Sequence, residues 1–535
     1  MNTEVLVVGA GPVGLTLAID LGRRGVRCTL VEKKPAPEFL PKMERCNART
    51  MEIFRRMRLA DRIRAAGLDR YVPMDVYIAL AMNEPPLLRL PYPSVAEAEA
   101  QISACNDGSM PREPYQLISQ YTLEPLLKSA AEELASVTVR YGLEFISLIQ
   151  DDDGVTATLR SEGGAETIRA QYLVGCDGGA SPVRKQLDIQ LRGEGNLLRL
   201  HQALYHAPDL FTRIPIGNGP GKGRHYHIAD NQATFLIMQD STKHWTLHAV
   251  VDQPEEMAAQ FERTIGVPVP YEMLYVGEWK QNLLLADRYG AGRVFLAGDS
   301  IHLVVPTGGL GMNMGVGDAI DLSWKLHATL RGWGGPALLA SYEIERRQVG
   351  DRNVGASRYA SLGRRQWRSQ YRPNIRDTTP EGQATRDRLA AVADVEQRKT
   401  NEMIGAELGY RYVGSPVIED EPGGPEHLFR EYQPTTWPGA RLPHVWLREG
   451  CSVHDVIGDG YTLLRLGGSK ADTAGLERAM RLHHAPFSAL TIDDPTPRDV
   501  YGYDLLLLRP DLHVVWRGNT APEDPAQLAA LVTGH

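Results

Sequence analysis

Cysteine is scarce in this chain, with five among 535 residues, an odd number. Cys28, Cys46, Cys105, Cys176 and Cys451 are scattered, with no CxxC pair and no Cys/His cluster. Neither a disulfide framework nor a zinc site is supported, and no metal is expected. Long apolar runs are missing as well. No stretch approaches the ~20 residues of a membrane span, and an apolar strand begins almost at Met1, so no cleavable leader is expected. A cytoplasmic location and no membrane partner are therefore expected. Basic charge is not in excess: 58 Lys and Arg against 66 Asp and Glu leave a net −8, so no nucleic-acid partner is expected. No internal repeat or low-complexity tract is evident. What is present is an ordinary globular composition, 43% hydrophobic and 23% charged, in a chain too long for one core. Two or three domains are expected.

The most informative segment opens the chain. An apolar strand, Val5 to Val8, runs into Gly9, Gly11 and Gly14, followed by a helix pattern with Leu15, Leu17, Ala18 and Leu21 apolar. A second strand, Cys28 to Val31, ends at Glu32. Gly9 permits a tight turn, Gly11 lets backbone approach a pyrophosphate, and Gly14 lets the helix pack close to the sheet. The helix N-terminus offers free N–H groups and the positive end of its dipole to phosphate. Glu32 stands where a carboxylate can accept from both ribose hydroxyls. GxGxxG alone is weak evidence, but strand, helix, second strand and terminal acid agree here, so a dinucleotide site is expected.

A helical stretch follows from Asn47 to about Met57. Residues 62–113 are irregular and Pro-containing and read as an excursion from the nucleotide fold, with a sheet segment as one form it can take. Gln116 to Gln120 reads as a strand, Tyr121 to Leu134 as an amphipathic helix, and Val137 to Val139 as a further strand. Phe145 to Ile149 and Val155 to Leu159 alternate around Asp151-Asp152-Asp153-Gly154, a hairpin signal. Residues from about 190 to 285 turn β-rich. Val294 to Ala297 returns to an apolar strand, and helices are expected over Gly317–Leu330 and from Leu338 to about Tyr359. Ser415 to Pro443, rich in Pro, Gly and acid, reads as a linker. Beyond it, 444–535 alternates strand-like and helix-like runs, a small α/β domain.

Two further motifs sharpen the dinucleotide reading. One is Gly175-Cys176-Asp177-Gly178-Gly179-Ala180-Ser181-Pro182-Val183-Arg184. The other is Gly298-Asp299-Ser300-Ile301-His302, followed by Pro306-Thr307-Gly308-Gly309-Leu310-Gly311-Met312-Asn313. Asp299, at a strand end, can accept from a sugar hydroxyl, and the glycine run can bring backbone N–H donors against a flat ring. With GAGPVG at the start, these motifs resemble, in order and approximate spacing, those of the class A FAD-dependent aromatic hydroxylases, the single-component flavoprotein monooxygenases.

The resemblance implies an α/β fold. It consists of a Rossmann-like FAD-binding domain of the glutathione-reductase type (1–190 and 286–414), an inserted β-sheet substrate domain (191–285), a linker (415–443) and a C-terminal thioredoxin-like domain (444–535). The last resembles that of the phenol-hydroxylase and aromatic-polyketide-hydroxylase branch through Gly439 to His444, Leu508 to Asp511 and Val515 to Gly518. Its single cysteine, Cys451, excludes a dithiol role, so packing or homodimer formation is expected of it.

Carried over residue by residue, Gly9, Gly11, Pro12, Val13 and Gly14 are the expected FAD pyrophosphate turn, with Glu32 and its neighbour Lys33 at the adenosine ribose. Arg45 and Gln120 are further FAD contacts. Asp177 and Arg184 match a motif linked to FAD and NAD(P)H. Asp299 matches the ribityl contact, and Pro306, Gly309, Leu310, Gly311, Met312 and Asn313 match the loop beside the isoalloxazine. Val305 stands where the family often has a second proline, and Ser300-Ile301 replaces its usual small pair.

The implied chemistry uses FAD, NADPH or NADH, and O₂, with a C4a-hydroperoxyflavin hydroxylating a small phenolic or polycyclic aromatic substrate. Arg224, His225, Tyr226 and His227 are candidates for stabilising a phenolate, beside the plain reading of a strand with one polar face in water. His302 reads as structural, and Trp245 and Trp324 as core. A Baeyer–Villiger oxygenase of the same branch, a flavin-dependent reductase and a non-catalytic flavin-binding protein are the alternatives.

Overall fold

The computed structural model describes residues 2–214 and 223–535; residues 215–222, inside the expected insert, and Met1 lie outside the described residues. The first strand, Asn2–Val8, lies between Cys28–Glu32 and Gly164–Gly175, parallel to both, with Val5 opposite Cys28 on one side and Tyr172 on the other. Val137–Tyr141 and Val294–Leu296 extend this parallel sheet outward. Strands covered on both faces need no polar side, which is why Val5 to Val8 is continuously apolar. The helices Pro12–Arg23 and Gly311–Leu330 pack against one another in this core.

Gly164–Gly175 serves two pairings. Its first part is antiparallel to Val155–Ser161, which pairs in turn with Glu144–Gln150. The predicted hairpin is present, closed by the Asp151 N–H donating to the Gly154 carbonyl at 3.0 Å.

A second sheet has seven strands in the order Glu272–Lys280, Arg199–His206, His244–Ala249, Phe235–Met238, Gly223–Ile228, Asp75–Ala79, Leu88–Leu90. The last two correct the expected division of the chain. They belong to the stretch 62–113, assigned above to the FAD-binding domain, yet Asp75–Ala79 pairs in parallel with Gly223–Ile228, about 150 residues away. Alternation gives this sheet two chemically different faces. Tyr205, Tyr226, Leu236, Trp245 and Leu247 pack on one side with Met257 and Phe261 of the helix Glu256–Ile265. Phe235, Ile237, Thr246 and His248 look the other way, into a cavity.

Both long helices exceed their predicted limits, running Gly311–Leu330 and Pro336–Arg368. The first begins six residues early, inside the glycine loop. The second continues past Tyr359 because Trp367, fully buried, anchors its end against Ile375, Leu389 and Ala393.

Residues 415–443 form no helix or strand, but they are not a free tether. Val417 and Ile418 are buried, and bridges join Arg411 to Ala440 and Arg441 to His513. The C-terminal sheet runs Phe487–Ile492, Tyr461–Leu466, Leu505–Leu508, Val514–Gly518, parallel in its first pair and antiparallel after, a thioredoxin-like order. Arg509 fastens this domain to the two long helices. Its guanidinium, fully buried, donates to Asp511 (2.8 and 2.9 Å), to Glu345 at 2.8 Å and to Asp321 at 2.9 Å. Lys325 meets the same Asp321 and Glu345 at 2.8 and 2.6 Å.

Candidate active site

The three sequence motifs converge on one cavity of about 730 Å³, to which Gly9, Asp177 and Asp299 all contribute. The N-terminal turn is built by sterics. Gly9 has φ +107°, and a Cβ on it would lie 2.4 Å from the Cys176 carbonyl oxygen. Gly14 is equally confined, since its Cβ would lie 2.0 Å from the Gly9 oxygen. Gly11 differs: a Cβ there would meet nothing closer than Glu124 at 4.0 Å, so its bare side is open to the cavity. Pro12 opens the following helix without a side-chain cap, leaving its first N–H groups free for an anion. Glu32 accepts from the Ala10 N–H at 2.9 Å and the Lys34 N–H at 3.1 Å, which holds its carboxylate at the end of the second strand.

Deeper in, Ser300 Oγ donates to the Gly175 carbonyl at 2.8 Å, and Arg184 donates to the carbonyls of Gly179 and Ser300, both at 3.0 Å. Those bonds lock the Gly175 and Gly298 turns together. Asp177 accepts from the Val183 N–H at 3.1 Å, but its other oxygen is buried without a partner among the described residues. Asp299 is exposed to the cavity yet ringed by protein, and burial raises the pKa of both acids. His302 and Asp318 are both fully buried and hydrogen-bonded at 2.7 Å. Asp318 also accepts from the Gly298 N–H at 3.2 Å and from Arg346 at 2.8 Å, so His302 braces the turn that carries Asp299.

The loop Pro306–Asn313 is clamped from the opposite strand. Arg45 donates to the Gly308 carbonyl at 2.9 Å, and Asn313 donates to the carbonyls of Arg45 and Gly309 at 3.1 and 2.7 Å. The helix Gly311–Leu330 starts at this loop without a side-chain cap, and Gly311, Met312 and Asn313 line the cavity. Its dipole favours negative charge there.

The second sheet roofs the far end. In the pairing of Gly223–Ile228 with Asp75–Ala79, Arg224 is one residue too many, a bulge. Neighbours that would otherwise face opposite ways both reach Glu44: Arg224 donates to it, and His225 Nε2 lies 2.9 Å away. Burial raises the Glu44 pKa, but Arg224 and His225 overcome it and hold the carboxyl well below its ordinary range. Burial and Arg224 push the His225 pKa down to about 4, so the imidazole is neutral at pH 7. His248 is neutral too, with burial lowering its pKa to about 3. Trp279 Nε1–H donates to its Nδ1 at 3.2 Å, which places the remaining proton on Nε2. Phe235 stacks on His248 with centroids 4.4 Å apart. Arg364 lies with Cζ 4.8 Å from the Phe235 ring centre.

Of the expected cofactor residues, Gly9, Gly11, Pro12, Val13, Glu32, Lys33, Arg45, Gln120, Asp177, Asp299, Pro306, Gly309, Gly311, Met312 and Asn313 line the cavity. Gly14 and Leu310 do not. Gly14 is packed against the turn, and Leu310 sits in a cluster with Ala356, Ala360 and Met403. Of the four phenolate candidates, Arg224 and His225 line the cavity. Tyr226 is turned into the opposite core and stacks on Tyr77. His227, fully buried, sits against Trp367 and does not reach the cavity surface. Sequence reasoning missed Glu44, His248, Trp279 and Arg364. The alternation Trp245-Thr246-Leu247-His248 was the available signal for His248.

The lining suits FAD: an open glycine, two uncapped helix starts, and, among the described residues, an orphaned Asp177 oxygen and Arg45 Nε buried without a partner. Residues 2–357 match the family model described as FAD binding domain, and residues 435–534 match that described as Aromatic-ring hydroxylase, C-terminal. The chain belongs to the FAD-dependent aromatic-ring hydroxylases. It is an FAD-dependent monooxygenase of aromatic substrates, using O₂ and a reduced nicotinamide.

It is similar to the FAD-dependent monooxygenase apdD of Emericella nidulans, 31% identical over 99% of this chain and 90% of that protein. It is also similar to the aklavinone 12-hydroxylase RdmE of Streptomyces purpurascens, 32% identical over 98% of this chain and 97% of that protein. Among solved structures, RebC with bound 7-carboxy-K252c superposes with a TM-score of 0.90 at 31% identity, covering 100% of this chain and 99% of that one.

Proposed function

We propose that this enzyme hydroxylates a phenolic or polycyclic aromatic ring held between the Pro306–Asn313 loop and the roof of the second sheet. The observation that carries this is the continuity of one cavity from the Gly9 turn to a wall of Phe235, His248 and Trp279. A dinucleotide and a flat ring fit such a space end to end. FAD, when bound, supplies electron transfer from NAD(P)H and the activation of O₂.

The chain's own residues bind, orient and exclude water. Gly9, Gly11 and the start of the Pro12 helix receive the pyrophosphate, Glu32 the adenosine ribose and Asp299 the ribityl chain. Arg45 and Asn313 keep the loop in shape, so that uncapped N–H groups at Gly311 to Asn313 face the ring system. Glu44 holds Arg224 and His225 in place at the roof, where the guanidinium favours an ionised ring hydroxyl. His248 offers its Nε2 proton to a substrate oxygen. The aromatic wall excludes water from the reacting centre. The relatives named for aklavinone hydroxylation and RebC's polycyclic ligand favour a fused-ring substrate. The docking of the C-terminal domain through Arg509 favours a packing role for it, and five free cysteines fit a reducing cytoplasm.

The test is NAD(P)H oxidation by the FAD-loaded enzyme with phenols, naphthols and polycyclic quinones. Aromatic-stimulated turnover should give a product heavier by one oxygen, with NMR showing a new aryl C–OH. An inserted ester oxygen, or turnover indifferent to O₂, would overturn the hydroxylase reading.

A further inference from the structure

Arg364 is the guanidinium in the cavity without an acid of its own. It lines the wall beside Phe235, and none of its nitrogens makes a hydrogen bond or ion pair among the described residues. Residues 215–222 contain no Asp or Glu, so no carboxylate there can supply the missing partner. The neighbouring charges are already committed. Glu44 is taken by Arg224 and His225, and Arg368 by Asp230 at 3.7 Å and by the carbonyls of Ile228 and Thr234 at 3.1 and 2.8 Å. The imidazoles of His225 and His248 are neutral. Arg45, the other guanidinium of the lining, is paired with Glu407 at 3.3 Å, so three guanidiniums face two carboxylates, Glu44 and Glu407, and Arg364 is the one left over among the described residues. A charge so enclosed is costly unless a partner arrives, and a guanidinium fork suits two oxygens in one plane.

We propose that Arg364 recognises an anionic oxygen function on the aromatic substrate, a ring carboxylate or an ionised ring hydroxyl, while Phe235 and His248 receive the adjoining ring. The inference rests on reading the roofed end of the cavity as the substrate site. The ring packs against the open edge of the Phe235–His248 stack, and the anion reaches along the Phe235 edge to the free nitrogens. Substrate binding then completes an ion pair that the protein alone leaves half made.

The test is binding to the oxidised, FAD-loaded enzyme, read by perturbation of the flavin spectrum, so no turnover is needed. Failure of the hydroxylase reading would appear separately, as absence of aromatic-stimulated NAD(P)H oxidation. Two probe pairs keep the ring and cap the anionic oxygen with a methyl group: 2-naphthoate against methyl 2-naphthoate, and pentafluorophenolate against pentafluoroanisole. Wild type should bind the anion of at least one pair more than roughly tenfold tighter, as a charge-assisted hydrogen bond implies. R364M should lose that preference while the neutral probe shifts by less than about threefold, and R364K should keep part of it. A preference confined to naphthoate identifies a carboxylate; one that includes the phenolate identifies an ionised hydroxyl. No preference in wild type for either pair, or a preference of undiminished size in FAD-loaded R364M, overturns the proposal; Arg224 accounts for no more than a residual phenolate preference. Should R364M fail to take up FAD, R364Q serves in its place, and the wild-type comparison by itself can still refute the idea.

Discussion

Replacing Arg509 with Met tests how the C-terminal domain is held. The guanidinium is fully buried and contacts three carboxylates, two of them, Asp321 and Glu345, on helices of the FAD-binding domain. R509M leaves Asp321, Glu345 and Asp511 with Lys325 as the remaining buried cation of the cluster. Two unit charges 4 Å apart interact by about 4 kcal/mol at an effective dielectric of 20, and breaking a buried pair costs about 3–5 kcal/mol. A loss near 4 kcal/mol changes the docking equilibrium by roughly a thousandfold. The assay is tryptic cleavage after Arg430, in the segment that joins the domains, across a urea series, with release of flavin fluorescence as a second signal. R509M should be cut far faster and lose FAD at lower urea. R509K, keeping charge but not the fork, should fall between. The control is R160M, which breaks an exposed pair with Glu144 and should cost less than about 1 kcal/mol. Cleavage of R509M at the wild-type rate would refute the assignment of this cluster as the clasp.

Two glycines of the phosphate turn should respond differently to the same added methyl group. G11A projects into open cavity and should fold normally while weakening FAD affinity by tenfold or more in equilibrium dialysis; G9A, at φ +107° and against the Cys176 carbonyl, should lose stability itself in thermal unfolding. Acid should destabilise the enzyme below about pH 6.5. Burial depresses His225 and His513 to about 4, and His248 and His444 to about 3. The unfolded chain then binds more protons than the native one, so stability is full above the unfolded pKa and is lost as pH falls toward these values. Each group contributes up to about 1.4 kcal/mol per pH unit, and H248F should visibly flatten the decline of the thermal midpoint.

The phosphate turn was legible in the sequence because its requirements are local: Gly9, Gly11 and Gly14 are dictated by backbone within a few residues. The Gly175 and Gly298 motifs were legible for the same reason, and their convergence followed from strand order. Residues 62–113 were assigned to the wrong domain, since Asp75–Ala79 pairs with a strand about 150 residues on and its pattern holds no sign of that partner. The strand Gly223–Ile228 carried two readings, a set of phenolate-stabilising candidates and a polar face in water, and only Arg224 and His225 reach the cavity. Alternation separates two faces but does not distinguish solvent from an enclosed cavity, and the bulge at Arg224 moved the alternation by one residue. Arg364 was missed because the expected helix ended near Tyr359, before the turn that carries it.

The surplus residue at Arg224 also bears on how such a cavity changes over time. Because His225 to Ile228 stay in register with a neighbour on either side, deleting Arg224 would straighten the ribbon and remove one guanidinium from the ceiling while every later side chain kept its facing. The kink is thus a self-contained insertion, able to come or go without rewriting the strand beyond it.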